Sequence, residues 1–213
     1  MTYRWSLGWI LLFACSGMAA ELEVEVKAPD SRPLAHAVVY LLSDAPLPPV
    51  KPGTVAEMDQ IKKQFKPHIL VVQKDTQIVF PNSDSIKHHV YSFSPAKTFE
   101  LQLYKEKQPA LPFDTPGQVE LGCNVHDWML GYIYVVDTPY FAQTDASGVA
   151  RIEAPAGNYR LYLRHPRIQD APEALETPLQ LGEKTRHRFV LQQPLLPSLQ
   201  SFEEDTDEFS GYE

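Results

Sequence analysis

Short apolar runs recur along the chain, some alternating with polar residues at a period of two, as in Leu22–Lys27, and others continuous, as in Ala37–Leu42. Turn-forming Pro, Gly, Asn and Asp residues separate the runs. Such runs are typical of half-buried β-strands. The runs that we interpret as strands are 22–27, 37–42, 69–72, 77–80, 90–93, 99–104, 119–121, 132–136, 149–152, 159–164 and 188–191. The pattern therefore predicts an all-β protein built from β-sandwiches.

Two segments in the first half of the chain give more specific predictions. Ile69–Val72 and Gln77–Phe80 flank the turn-forming pair Lys74-Asp75, so we expect these strands to pair with each other. Residues 55–63 instead place apolar side chains, Met58 among them, on one side of a helix. That spacing predicts a short helical turn.

The N-terminal residues have the pattern of an export signal. Arg4 supplies a positive charge, Trp5–Ala14 is apolar, and small residues follow. We predict a signal peptide over residues 1–19, cleaved after Ala19, and a periplasmic mature protein. An alternative is a lipoprotein anchored through Cys15. The apolar stretch is too short to cross a bilayer, and we expect no transmembrane segment in the mature chain.

Composition and charge narrow the possible partners. The 213 residues include 27 acidic and 19 basic side chains, which gives a net charge of -8. Nucleic-acid binding needs a basic surface, so we expect no nucleic-acid partner. Residues 193–213 contain the acidic run Glu203–Glu208 and predict a disordered tail, whose charge favours a basic protein partner.

Three metal-ligating side chains stand close together in the order Cys123, His126 and Met129. Cys123 is the only cysteine left after removal of the signal, so it has no disulfide partner in an oxidising compartment. Thiolate, imidazole and thioether together favour copper, and a His2Cys site with a weak axial Met is the arrangement of blue-copper centres. His88, further upstream, supplies the second imidazole.

Other metal sites fit these ligands less well. A structural zinc site is closed by four N, S or O ligands, and Met is not among its usual ligands. A two-copper centre of the oxidase type requires a second cysteine, and residues 124–127 contain none. The remaining histidines stand singly in the sequence, and we interpret them as ordinary surface or half-buried side chains: His36, His68, His165 and His187.

The segment from Phe65 to Val136 resembles the cupredoxins, the plastocyanin and amicyanin type of small blue-copper protein. The residues that carry the resemblance are Phe80-Pro81-Asn82, Asp84, His88, Val90, Cys123-x2-His126-x2-Met129, Gly131, Ile133 and Val135. The resemblance implies a Greek-key β-sandwich that holds one type 1 copper ion. It also implies that His88, Cys123 and His126 are equatorial ligands and that Met129 is the axial ligand.

One position departs from the cupredoxin pattern. His89 stands where these proteins usually have an asparagine that braces the ligand loop, so His89 either takes that role or replaces His88 as a ligand. Neighbours on a strand point to opposite faces, and the spacing from Asp84 favours His88. We predict that His89, Asn82 and Asn124 surround the ligands and hold them in place.

The two ends of the chain resemble the halves of a carboxypeptidase-regulatory-like, transthyretin-like β-sandwich. This resemblance rests on an Asp145-x-x-Gly148 turn and a Pro155-x-Gly157-x-Tyr159 turn. Neither half could bury a core alone, so we predict one sandwich made from both ends, with the cupredoxin domain inserted between them. The predicted domains are the signal peptide at 1–19, the two half-sandwiches at 20–48 and 138–192, the cupredoxin domain at 58–137 and the acidic tail at 193–213.

These resemblances imply an electron carrier that is not an enzyme. Its partners would be redox proteins such as a c-type cytochrome or a periplasmic dehydrogenase, and some relatives of this architecture are labelled methylamine-utilisation proteins. Two alternatives stay open: a periplasmic copper-binding or delivery protein, and a structural binding module with an accessory copper site.

Overall fold

The computed structural model describes residues 19–105 and 108–198. The predicted signal peptide, apart from Ala19, and the predicted tail from residue 199 onward lie outside the described residues. The strands are β1 Ala19–Lys27, β2 Val38–Leu42, β3 Val55–Glu57, β4 Asp59–Ile61, β5 Gln64–Lys66, β6 Ile69–Gln73, β7 Thr76–Val79, β8 His88–Ser94, β9 Lys97–Tyr104, β10 Leu111–Phe113, β11 Gly117–Cys123, β12 Gly131–Val136, β13 Phe141–Gln143, β14 Val149–Pro155, β15 Gly157–Arg164, β16 Glu176–Leu181 and β17 Lys184–Val190. The prediction of an all-β fold is confirmed.

Strands from both ends of the chain form two sheets over one core. In the first sheet β1 lies between β14, which is antiparallel to it, and β17, which is parallel. The second sheet has the order β13-β2-β15-β16. Every second residue of β1 is buried, as the alternation in the sequence predicts. The side chains that share this core include Leu22, Val24, Val26, Val39, Leu41, Ile152, Leu161, Leu163 and Phe189.

The middle of the chain encloses a separate core between a five-stranded and a three-stranded sheet. The five-stranded sheet has the order β6-β12-β11-β8-β9, and the three-stranded sheet has the order β10-β7-β3. The core side chains include Met58, Phe65, Ile78, Phe80, Val90, Phe113, Val119, Leu121 and Ile133. The middle segment is therefore a β-sandwich with its own hydrophobic core.

The two sandwiches contact each other through a small cluster of buried side chains. Val38 of β2 packs with Ile69 of β6 and Tyr134 of β12. Gln143 adds a hydrogen bond across the contact, from its Nε2 to the carbonyl oxygen of Ile69 at 3.1 Å. Among the described residues, no helix is long and apolar enough to span a membrane.

The predicted helical turn over residues 55–63 is wrong, because this segment forms β3 and β4. Met58 and Gln60 are both fully buried, which is the period of a strand. The backbone N–H of Met58 also donates to the carbonyl oxygen of Val79, so the segment is held against β7. Met58 and Ile61, the apolar positions that suggested a helix, thus lie in an extended segment of the middle sandwich.

The predicted pairing of residues 69–72 with 77–80 is also wrong, although both strands exist. β6 runs parallel to β12, whereas β7 pairs with β3 and β10 in the other sheet. The turn between them is tied to both sheets, since Lys74 N–H donates to Val136 and Asp75 N–H to Phe113, each at 2.8 Å. Asp75 has a φ of 70°, and this left-handed turn carries the chain from one sheet to the other.

Candidate metal centre

Two neighbouring strands and one loop bring the predicted ligands to one end of the middle sandwich. His88 is the first residue of β8, and Cys123 is the last residue of β11. These strands are antiparallel, with Cys123 opposite Val90, so the start of one lies beside the end of the other. His126 follows in the loop between β11 and β12. The ligand loop, as we call residues 123–131, therefore closes over the start of β8.

The thiol of Cys123 lies between two imidazole nitrogens. Its Sγ is 3.8 Å from Nδ1 of His88 and 3.9 Å from Nδ1 of His126. The three potential ligand atoms all lie within 4.8 Å of one another. All three side chains are buried: His88 is 0% exposed, Cys123 3% and His126 8%. Within residues 19–105 and 108–198, this is the one group of three or more His, Cys, Asp or Glu side chains with such spacing.

The spacing of these atoms fits three ligands of one metal ion. Bonds of about 2.3 Å to sulfur and about 2.05 Å to nitrogen, at an angle of about 120°, separate the two donor atoms by about 3.8 Å. A tetrahedral angle would bring them to about 3.6 Å. The distances of 3.8 and 3.9 Å are therefore short enough for Cys123 Sγ and the two Nδ1 atoms to bind one metal ion. A soft thiolate with two imidazoles is a donor set that suits copper.

Met129 lies in the same buried region as Cys123. It is 2% exposed and belongs to the core of the middle sandwich. Its backbone N–H donates to the carbonyl oxygen of His126 at 3.0 Å, which closes a turn over residues 126–129. This turn accounts for the spacing between the side chains of His126 and Met129. The axial role of Met129 stays a prediction.

Asp84 sets the orientation and tautomer of the His88 ring. Nε2–H of His88 donates to the Asp84 carboxylate at 2.7 Å. Because a neutral imidazole carries one proton, Nδ1 is then the unprotonated nitrogen that faces Cys123. Burial raises the pKa of Asp84, but hydrogen bonds from Lys63 N–H, His88 and Lys62 N–H outweigh it and lower the pKa below its ordinary value. We therefore treat Asp84 as an ionised acceptor that holds His88.

His89 points away from the candidate centre. Its Nε2 lies 2.7 Å from Oε1 of Glu100 on β9, and its Nδ1 is buried without a hydrogen-bond partner among the described residues. The opposite directions of His88 and His89 follow from strand alternation. His89 makes no hydrogen bond to the described ligand loop. The structure thus brings His88, and not His89, to Cys123.

The two asparagines predicted beside the ligands differ in their contacts. Asn82 donates from Nδ2 to the carbonyl oxygens of Ile86 and Tyr104, at 2.9 and 3.0 Å, and its Oδ1 accepts from the N–H of Asp84 at 3.1 Å. It therefore braces the loop that presents Asp84. Asn124 is exposed, and its side chain makes no hydrogen bond to any other described residue.

A buried polar pair that the sequence interpretation missed supports the same loop. Gln60 is fully buried and donates from Nε2 to Pro81 O at 2.8 Å and to the hydroxyl of Tyr104. That hydroxyl donates in turn to Phe80 O at 2.8 Å, and burial raises the pKa of Tyr104 to about 12. No local motif marks Gln60, although its position two residues after Met58 fits a strand.

His126 is the part of the group nearest the surface. Its ring packs edge-on against Trp128, with ring centroids 5.3 Å apart. Trp128 and Val125 on either side are 46% and 50% exposed. Burial is the main cause that lowers the pKa of His126, and the neighbouring side chains of His88 and Lys63 lower it further. The ligand loop therefore exposes two large apolar side chains near His126, together with the polar side chains of Asn124 and Asp127.

The sheets and the buried group together define an all-β protein with a His-Cys-His candidate metal centre at the end of a β-sandwich. No family model matches the sequence, and no curated protein matches it.

Several solved cupredoxin and copper-protein structures are similar to part of the chain. A copper-containing nitrite reductase from Thermus scotoductus is 19% identical, with a TM-score of 0.37, over 46% of this chain and 25% of its own. A reduced amicyanin variant is 21% identical, with a TM-score of 0.34, over 46% of this chain and 98% of its own. A purple cupredoxin from Nitrosopumilus maritimus is 18% identical, with a TM-score of 0.34, over 39% and 99%.

Proposed function

We propose that this protein is a type 1 copper protein that carries single electrons between periplasmic redox partners and catalyses no reaction of its own. The observation that carries the proposal is the position of Cys123 Sγ between Nδ1 of His88 and Nδ1 of His126, at 3.8 and 3.9 Å. Copper held there supplies a couple between Cu(I) and Cu(II). In this proposal His88, Cys123, His126 and Met129 hold one ion.

The hydrogen bonds around the candidate ligands favour a rigid site. Asp84 fixes one ring, and it is held in turn by the backbone N–H groups of Lys62 and Lys63. Asn82 and Gln60 brace the loop that carries Asp84. A ligand set that moves little between two oxidation states lowers the reorganisation that accompanies electron exchange. This rigidity supports electron transfer as the role of the site.

Burial of the thiol favours a carrier over a delivery protein. Cys123 is 3% exposed and His88 is fully buried, so an acceptor protein has no direct access to either group. A delivery protein must release its ion, and exposed ligands suit that task better. The ring of His126 is then the route left for electrons, because it lies beneath the surface formed by Val125 and Trp128. We propose that electrons enter and leave there.

The partner and the domain boundaries are also part of the proposal. The separate cores support a copper domain over 58–137 inserted between half-sandwiches at 20–48 and 138–192. The net charge of -8 favours a basic partner, such as a c-type cytochrome or a periplasmic dehydrogenase.

Visible absorption of the copper-loaded protein tests the proposal. A Cu(II)–thiolate bond in a trigonal site absorbs strongly in the visible range, so we expect a blue or green protein with one copper per chain. Cys123→Ser should be colourless. His187→Ala is a matched control, because His187 lies on β17 in the other sandwich, and it should keep the colour. A colourless wild-type protein that binds zinc stoichiometrically would overturn the proposal.

A further inference from the structure

Three histidines that stand singly in the sequence line one cavity. The cavity of about 590 Å³ lies between the two sandwiches and is separate from the metal centre. Its ionisable side chains are Arg32, His36, Lys66, His68, His165 and Arg167. No Asp or Glu is found among the described residues that line it. The interpretation of these histidines as isolated side chains is thus incomplete, because folding gathers three of the four.

The cavity concentrates positive charge in a chain whose net charge is -8. Lys66 makes no ion pair with a described residue. The guanidinium of Arg167 donates to the carbonyl oxygen of Leu196. This oxygen is uncharged, so it does not neutralise the positive charge of Arg167. Arg32 is the exception, since its Nε lies 2.7 Å from the Asp30 carboxylate, with both side chains exposed. Two of the three permanent cations therefore lack a carboxylate partner.

His165 adds a hydrogen-bond donor to this cationic lining. Nδ1 of His165 accepts from the N–H of Arg167 at 3.1 Å, so the neutral ring carries its proton on Nε2. That Nε2–H is a hydrogen-bond donor of a side chain that lines the cavity. Burial, and then the charge of Arg167, lowers the pKa of His165 to about 3, as expected for a ring near positive charge without a counter-ion.

The cavity has the size and the mixed lining of a small-molecule site. Ligand pockets typically enclose about 300–1,000 Å³ and often lie where two domains meet. Besides the cations, the walls include the apolar side chains of Leu34, Ile69 and Leu195. An inorganic ion alone would leave most of this volume unfilled. An occupant with an apolar body and a charged group matches both parts of the wall.

We propose that this cavity binds a small organic anion, a carboxylate or phosphate ester. Its charged group contacts Lys66 and Arg167, and its apolar body packs against Ile69 and Leu195. Guanidinium and ammonium groups are the side chains that proteins use to bind phosphate and carboxylate.

The chain itself is a second source of anionic groups that the cavity could bind. Residues 203–208 carry five carboxylates, and the described chain reaches the cavity wall at Leu195. A variant of the full chain with these five residues changed to Asn and Gln separates the two sources. Unchanged affinity for an added anion assigns the site to a free molecule, whereas a rise of tenfold or more shows that the chain's own carboxylates compete for the same site.

Calorimetric titration of the full chain with phenyl phosphate tests the proposal, with phenol as the uncharged probe. We expect one saturable site for phenyl phosphate and at least tenfold weaker binding of phenol. Lys66→Gln and Arg167→Gln should each weaken phenyl phosphate binding about tenfold, the effect of losing one charged hydrogen bond. Lys184→Gln is the control, because Lys184 is exposed on β17 and does not line the cavity.

Three results would overturn the proposal. They are the absence of saturable phenyl phosphate binding, equal binding of phenol, and equal weakening by Lys184→Gln and Lys66→Gln. Arg167→Gln also removes the hydrogen bond to Leu196, so its thermal unfolding is compared with that of the wild-type protein. Lys66 is exposed, and its variant decides the matter if Arg167→Gln does not fold.

Discussion

The Nε2 atom of His88 lies 2.7 Å from the carboxylate of Asp84, four residues earlier in the chain. This contact directs Nδ1 of the ring toward Cys123 and fixes the tautomer that can bind a metal. Asp84 is itself held by two backbone N–H groups, so the orientation of His88 depends on a turn outside the ligand loop. Hydrogen bonds within the protein therefore set the orientation of His88 toward Cys123.

Replacing Asp84 with Asn should weaken copper binding. An amide accepts a weaker hydrogen bond from His88 and adds an N–H₂ group that conflicts with Lys62 and Lys63, so the ring loses its fixed orientation. We expect copper affinity to fall by about 10–100-fold, as measured by competition with a chelator. Asp30→Asn, on an exposed carboxylate in the other sandwich, is the control. Equal affinities for the two variants would contradict the role of Asp84.

Separate alanine variants should distinguish His88 from His89. His88 lies beside the thiol, whereas His89 contacts Glu100 on β9. We expect His88→Ala to abolish the visible absorption of the copper-loaded protein and His89→Ala to keep it. Loss of colour in His89→Ala alone would reverse the ligand assignment.

A methyl group at Gly131 should destabilise the middle sandwich. A Cβ there would lie 2.8 Å from Cβ of Phe65, a fully buried side chain, so one of them must move. We expect Gly131→Ala to lower the free energy of unfolding by about 1–3 kcal/mol in urea denaturation. Gly182→Ala is the matched control, since a Cβ at Gly182 meets no atom within 4 Å. A similar unfolding free energy for both variants would refute this packing argument.

The burial of His165 predicts a loss of stability in acid. Burial lowers its folded-state pKa from 6.5 to about 3, so the unfolded chain binds a proton at a higher pH than the folded chain does. The contribution of His165 is therefore complete above pH 6.5 and is lost as the pH falls toward 3.

The variant His165→Asn keeps an acceptor for the N–H of Arg167 but does not titrate in this range. Between pH 7 and pH 3.5 the free energy of unfolding of the wild-type protein should fall by about 2–4 kcal/mol more than that of the variant. Denaturant unfolding at the two pH values measures this difference. An equal fall in the unfolding free energy of the two proteins would show that His165 is not the group responsible for the loss of stability in acid.

The sequence predicts strands better than it predicts their partners. Alternation identifies β1, because one face of this strand meets a core and every second side chain is buried. It does not show that β6 and β7 lie in different sheets, because a turn such as Lys74-Asp75 suits a hairpin as well as a crossing between sheets. The distinction depends on hydrogen bonds to Val136 and Phe113, which are distant in the chain.

The sequence likewise predicts some residues of the candidate site and misses others. Cys123 and His126 are apparent from their chemistry and spacing, and the structure places both beside His88. The support from Gln60 is not apparent, because a buried glutamine has no motif and its partners lie 21 and 44 residues away. The cavity between the sandwiches is hidden for the same reason, since its histidines come from three separate segments.

A direct comparison of electron exchange with copper release tests the carrier function. Because Cys123 and His88 are buried and Asp84 holds one ring in place, the ligands should keep copper in both oxidation states. We expect reversible one-electron voltammetry and rapid reduction by a basic c-type cytochrome. The rate should fall as salt rises, because the net charge of -8 attracts such a partner and ions screen that attraction.

Substitution of Trp128 locates the surface at which the electron passes. Trp128 is exposed beside His126, so Trp128→Lys places a positive charge where a basic cytochrome must dock and should slow the reduction about tenfold or more. The visible spectrum should not change, because Trp128 is not one of the proposed ligands. Phe93→Lys is the control, since Phe93 is exposed at the other end of β8. Ready transfer of Cu(I) to a competing protein, together with slow electron exchange, would favour copper delivery, because a site built to retain its ion cannot also be one that gives it up quickly.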